Sequence, residues 1–313
     1  MWINEVISIL ILLLAIYQNS ICILVTAIFW LLGPFVAYKI SRTVKKKDKK
    51  SELSKKDINY LIEVAKHTWS FFEDYLIEEY NYLPPDNYQE GRAQKIVSNT
   101  SSTNIGLGLV SIISAYDLGF INLEKTLDLL EKMIITINKL PKWNGHLYNW
   151  YNIKTLTPLK PMYISTVDSG NFVGYVYVVK TFLKDILNYQ NEKNKEKVNY
   201  QIDYLENLIK QTDFKKLYEK EIGLMSIGFN IEDNKNTPSY YDLLASEARQ
   251  ASFIAIAKKD VPIKHWENLS RTLTLLDRKK GLISWSGTAF EYLMPNIIMK
   301  RYEGSLLDES CKF

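Results

Sequence analysis

From Asp57 onward, apolar residues recur at helical spacing in one segment after another and almost nowhere at the spacing of a strand. Ile58, Leu61, Ile62, Ala65, Trp69, Phe72 and Leu76 make the first stripe, opened by Ser54 with Asp57 three residues on. Residues 104–116 are nearly all apolar and are closed by Gly119. Leu123, Leu127, Leu130, Ile134 and Ile137 form the next stripe, stopped by Pro141. Segments 171–187, 198–209 and 240–257, a short one after Pro262, and 289–299 bring the expected tally to about eight helices. The best strand signal is 223–231. A doubly wound sheet or a (β/α)8 barrel needs strands alternating with helices, so an all-α array remains.

The loops between these helices are long and aromatic: 82–90 (YLPPDNYQE), 143–163 (WNGHLYNWYNIKTLTPLKPMY) and 277–287. Tyr, Trp and Phe make up 13% of the chain, and flat rings beside Asp, Asn and His suit a sugar, whose faces stack while its hydroxyls hydrogen-bond. Loops packing onto a helical ring would use the same residues.

The N-terminus poses a separate problem. Residues 6–40 are apolar except for a break at Gln18, Asn19 and Ser20, and a basic run, Lys45 to Lys50 with Asp48 inside it, follows. A bilayer core needs roughly twenty apolar residues per helix. Residues 21–38 nearly suffice alone and 6–17 are short, so the reading favours two spans over one. The start lacks a basic region and a small-residue cleavage site, which argues for an anchor and against a cleaved signal. By the positive-inside tendency the lysines and the domain behind them lie on the cytoplasmic side of the inner membrane; the run also reads as a plain solvated linker. A net charge of +4 concentrated in one run is no nucleic-acid footprint, so no nucleic-acid partner is expected.

Cys22 and Cys311 are too far apart in sequence to suggest a framework, and the three histidines, His67, His146 and His265, are scattered, so neither metal nor cofactor is expected. Residues 104–108, Asn-Ile-Gly-Leu-Gly, lack the third glycine and the preceding strand of a dinucleotide loop, and read as helix packing.

Two glutamates sit in otherwise apolar, aromatic sequence. Helical spacing places Leu243, Glu247, Ala251 and Ile254 on one face, so Glu247 is either an interior carboxyl whose pKa burial would raise or a surface glutamate. Glu291 follows Thr288 in a capping-box pattern, which favours structure over chemistry. Asp242 and Arg249, seven apart, could pair. Asp168, in TVDSGN, reads as an N-cap that could also bind a sugar hydroxyl.

LPPDNYQE, TSSTNIGLGL, GHLYNWY, YISTVDSGN, YYDLLASEARQASFIAIAKKDVP and GLISWSGTAFEYLMP resemble the central glycoamylase-like domain of cyclic β-1,2-glucan synthases, and LLGPFVAYKISR resembles the membrane segment that precedes it. The resemblance runs from about Leu31 to Phe313. It implies residues 1–42 as membrane anchor, 43–56 as basic linker and 57–313 as an (α/α)6 barrel acting on β-1,2-glucan by retaining transglycosylation that closes a ring. It also implies Glu247 as nucleophile, with Asp168, Asn171, Tyr240, Tyr241, Asp242, Trp285 and Glu291 lining the pocket. In the family the acid lies in a GISES segment beyond the point where this chain stops, so the chain is read as a C-terminally incomplete barrel. The glycosyltransferase and phosphorylase portions of a split synthase would be its partners. An inverting endo-β-1,2-glucanase and a non-catalytic glucan-binding fragment are the alternatives.

Overall fold

The computed structural model describes residues 2–41, 53–93, 95–188, 192–276 and 279–312. The Lys45–Lys50 run lies outside them. Two compact units divide the chain, residues 1–51 and 52–313.

The first unit is a helical hairpin of α1 (Trp2–Gln18) and α2 (Ile21–Ser41). Asn19 makes the turn in the left-handed region, φ 50°, where asparagine is among the tolerated residues. Ser8, Ala15 and Ala27 are buried, as small residues are where helices approach closely. Asn4 and Trp30 clamp the pair: the Asn4 amide donates to the Trp30 carbonyl at 3.0 Å and accepts from the Trp30 indole N–H. Residues 21–39 are long and apolar enough to cross a membrane, whereas the apolar part of α1 is shorter.

The second unit alternates two kinds of helix. α3 (Lys55–Tyr75), α5 (Leu123–Lys139) and α7 (Glu192–Gln211) are amphipathic; α5 and α7 bury one stripe each, whereas α3 buries Trp69 near its C-terminal end and leaves Ile58, Leu61 and Ile62 of its expected stripe exposed. α4 (Ser102–Asp117) and α6 (Thr166–Leu187) are apolar nearly all round and lie in the core, as does most of α8 (Arg249–Ala257). This alternation of inner and outer helices is the plan of an α/α barrel. Two glycines let the inner helices touch. A methyl at Gly106 of α4 would come within 2.5 Å of the Tyr175 ring on α6, and one at Gly170 of α6 would overlap the Ala251 backbone of α8. The glycine-rich stretch at 104–108 is therefore helix packing, as read. Short helices α9 (Lys264–Asn268), α10 (Ala289–Leu293) and α11 (Leu306–Cys311) complete the unit.

Short antiparallel strands lead into the inner helices. Asn99–Thr100, paired with Tyr151–Asn152, precedes α4; Tyr163–Ser165, paired with Gly228–Asn230, precedes α6. Tyr240–Tyr241 pairs with Leu224–Ser226 before the chain turns into α8. The expected strand at 223–231 is two strands, Leu224–Ser226 and Gly228–Asn230.

The helix expected over 240–257 is shorter than its apolar spacing suggests. Tyr240 and Tyr241 are claimed by the sheet, and Leu243 forms a bridge with Ser270, fixed by Leu244 N donating to Ser270 O at 3.1 Å and Ser270 N to Asp242 O at 2.6 Å. Tertiary pairing overrides local propensity here, so helix begins only at Arg249 and Glu247 lies in the turn before it.

Candidate active site at the N-terminal rim of the inner helices

The first turns of α4 and α6 and the turn entering α8 bring polar side chains together. Ser165 caps α6 and Asp168 is its third residue, so Asp168 is not the N-cap its sequence context suggested. The Ser165 hydroxyl donates to one Asp168 oxygen at 2.5 Å while accepting from the Asp168 N–H, and the Thr103 hydroxyl of α4 donates to the other at 2.6 Å. Behind them the Asn171 amide donates to Thr103 at 3.2 Å. Asn171 was expected to line the pocket. Its side chain is instead enclosed, 1% exposed, and reaches the rim only through Thr103.

Glu247 is half-buried, and no hydrogen bond to its carboxylate is found among the described residues. Burial pushes its pKa up to about 7, with the negative charges of Asp168 and then Glu291 adding to the shift. The charges of Glu247 and then Asp168 add to the upward shift that burial imposes on the Tyr175 and Tyr241 phenols. Glu247, Asp168, Tyr175 and Tyr241 therefore share one electrostatic neighbourhood.

Glu291 stands apart from Glu247 in its bonding. Burial alone would raise its pKa, but donors from Ser286, Ser284 and the backbone hold it below the usual carboxylate range. It completes the capping box of α10 with Thr288, as expected, and also accepts from Trp285 N at 3.1 Å, Ser284 Oγ at 2.9 Å and Ser286 Oγ at 2.5 Å. Its work is to hold the 284–288 loop. That loop presents Trp285, half exposed, tilted against Tyr241 with ring centroids 5.8 Å apart. The Trp285 indole donates to Asp242 at 3.0 Å, so Asp242 steadies the ring and does not pair with Arg249. Tyr240, next along the same strand, faces the opposite side from Tyr241.

Thr103, Ser165 and Tyr175 were not singled out from the sequence. The serine three residues before Asp168 was the one available signal, a capping-box spacing. Among the described residues no group of three or more His, Cys, Asp or Glu side chains is gathered for a metal ion. Two surface grooves on the helical shell, one beside Glu124 and Tyr200 and one beside Tyr116 and Phe182, hold none of the rim residues.

The architecture is of the glucoamylase-like α/α-barrel class. An endo-β-1,2-glucanase from Chitinophaga pinensis, solved with sophorotriose and glucose, superposes with a TM-score of 0.65 at 13% identity, covering 83% of this chain and 65% of that one. A glucoamylase-like structure from Bacteroides fragilis gives 0.61 at 14% identity, covering 79% and 60%. In sequence, no family model matches, but the chain is similar to the cyclic β-(1,2)-glucan synthase NdvB of Rhizobium meliloti, with 28% identity over 401 residues. That alignment takes in 91% of this chain and 14% of the length of the relative. The resemblance read from the six motifs is therefore one to a relative that covers nearly the whole chain.

Proposed function

We propose that the second unit binds a β-1,2-linked glucan at the N-terminal rim of α4, α6 and α8 and acts on its glycosidic bonds by transglycosylation with retention, as part of cyclic β-1,2-glucan synthesis. The observation that carries this reading is Glu247: a half-buried carboxyl with its pKa pushed up to about 7 and, among the described residues, no donor on it, beside Asp168 and the Tyr241–Trp285 rings.

The resemblance implied a nucleophile at Glu247. A carboxyl still half protonated at neutral pH suits the proton donor better, because a nucleophile must be ionised to attack. Glu247 gives its proton to the departing glycosidic oxygen as the bond from that oxygen to the anomeric carbon breaks, and takes a proton from the hydroxyl of the acceptor sugar as that hydroxyl oxygen bonds to the same carbon. Asp168 and Glu291 each accept hydrogen bonds on both oxygens. Asp168 holds a sugar hydroxyl, and Tyr241 and Trp285 stack on a ring face.

Incubation of the chain with linear β-1,2-glucan tests this. Glu247→Gln should bind the glucan as the wild type does and form no new glycosidic bonds; unaltered turnover in this variant overturns the assignment. NMR of the first anomer released separates retention from inversion. The α1–α2 unit supports a membrane-anchored reading, with the domain on the cytoplasmic side and the glycosyltransferase and phosphorylase portions of a synthase as partners. Resistance to carbonate extraction, lost when residues 1–42 are removed, is the expected result.

A further inference from the structure

Among the described residues Arg249 is the largest side chain that is essentially fully enclosed, 2% exposed, and no carboxylate among them pairs with it. A buried guanidinium without an anion is costly, and here its donors are spent on backbone carbonyls. One terminal nitrogen donates to Ser246 O at 3.0 Å and to Glu291 O at 2.7 Å, and the other donates to Tyr292 O at 2.6 Å. Ser246 is the residue before Glu247. Glu291 is the residue whose side chain holds the Trp285 loop.

We infer that Arg249 is a positioning residue, which fixes the distance between the Glu247 turn and the loop bearing Trp285 by clamping the backbone of that turn to the backbone of α10, from which the Glu291 side chain holds the loop. A planar fork can serve carbonyls on two separate elements at once, whereas the compact ammonium of a lysine cannot reach both in the same way. Because the charge is turned toward carbonyls, it leaves Glu247 without a neutralising partner, as a proton donor requires. The inference rests on the reading of Glu247 and Trp285 as the glucan site, and the two can fail separately.

The test uses the full chain labelled with 5-fluorotryptophan. Its seven tryptophans give separate fluorine signals, and the one from Trp285 is identified by its loss in Trp285→Phe. Arg249→Lys should keep the other six signals in place, displace that of Trp285, and weaken β-1,2-glucan binding about tenfold, the scale of a small misplacement in a preorganised site. Arg249→Gln, which can keep at most one of the two far carbonyl contacts, serves if Arg249→Lys does not fold, and should displace the same signal. Glu291→Gln, which leaves the carbonyl acceptors intact, should also displace it and lower the affinity, and its double variant with the folded Arg249 variant should lose little more than the worse single one.

A Trp285 signal and a glucan affinity unchanged in Arg249→Lys, with only thermal stability lowered, overturn the inference. So does a double variant whose losses simply add. If the wild-type chain binds no β-1,2-glucan, the proposed function falls, and the fluorine shift still decides whether Arg249 positions the loop.

Discussion

The Thr103 hydroxyl donates to Asp168 at 2.6 Å across 65 positions of sequence, fastening the first turn of α4 to the first turn of α6. Since Asn171 donates to the same hydroxyl from behind, the threonine oxygen is the middle of a relay from the core to the rim. Its hydrogen leaves Asp168 free to accept only from directions that a ligand hydroxyl could use. Thr103→Val keeps the shape and removes the relay. It should cost about 1.5–3 kcal/mol of stability, the scale of a lost hydrogen bond to a charged group, and weaken glucan binding. Calorimetric unfolding and titration with β-1,2-glucan oligomers check both, and a variant that binds as the wild type does removes Asp168 from the binding site.

The protonation of Glu247 gives the activity a direction in pH. Burial, Asp168 and Glu291 raise its pKa to about 7, so the proton it would donate is present below that value and lost above it. The rate on β-1,2-glucan at low substrate should therefore fall as pH rises from 6 to 8. An attacking carboxylate would give the opposite slope. Stability follows the same sign: a carboxyl whose folded pKa lies above its unfolded value favours the fold at low pH, and that contribution is lost as pH rises through about 7. Melting temperatures measured between pH 6 and 8 should decline in the wild type and decline less in Glu247→Gln.

The outer helices and their caps could be read from single residues. Ser54 and Asp57 form the capping box of α3 as their spacing required, and Gly119 closes α4 at φ 75°. What could not be read is where partners far away in sequence take over. Nothing local at Leu243 says that Ser270 will claim its backbone, so the helical spacing around Glu247 continues through a stretch that is not helix. Arg249 and Asp242 look like an ion pair along a helix, yet their partners are carbonyls at 246, 291 and 292 and the indole of Trp285. The carboxyl at 247 was visible because an acidic group among apolar neighbours is unusual. The hydroxyls that hold Asp168 were not, since Thr103 and Ser165 look like any helix-opening residues.

Gly170 offers a test of the packing that sets the rim. A methyl there overlaps the Ala251 backbone, which has no side-chain freedom with which to yield, so α6 and α8 must separate. Gly170→Ala should lower stability by about 1–3 kcal/mol, the usual cost of overpacking. Because Asp168 and Glu247 sit at the ends of these two helices, the separation should also weaken their coupling. The acid-side plateau of the rate against pH should then end at a lower pH, its falling limb moving down as Glu247 is relieved of the Asp168 charge. A destabilised variant with an unmoved limb would show that the crossing supports the fold without setting the site.

Asp308 supplies the last test, remote from the rim. Its carboxylate is buried in α11 and accepts from Arg301, from Lys312 at 2.8 Å and from Gly304 N at 2.9 Å. Burial alone would raise its pKa, but these donors, Lys312 first, bring it down to about 2. A carboxylate depressed in this way stabilises the fold above its unfolded value, and the contribution is lost as pH falls from about 4 through about 2. The partners are partly solvated, Arg301 by half and Lys312 by about a third, so the net effect is discounted to about 1–2 kcal/mol. Asp308→Asn keeps the shape and exchanges acceptors for an amide that cannot satisfy two cations. It should lower the melting temperature at pH 6, and the gap between wild type and variant should close as pH falls from about 4 toward about 2. Since Asp308 touches none of the rim residues, glucan affinity at pH 6 should stay at the wild-type value, measured well below the melting temperature. An affinity that falls with stability would mean that α11 contributes to the site.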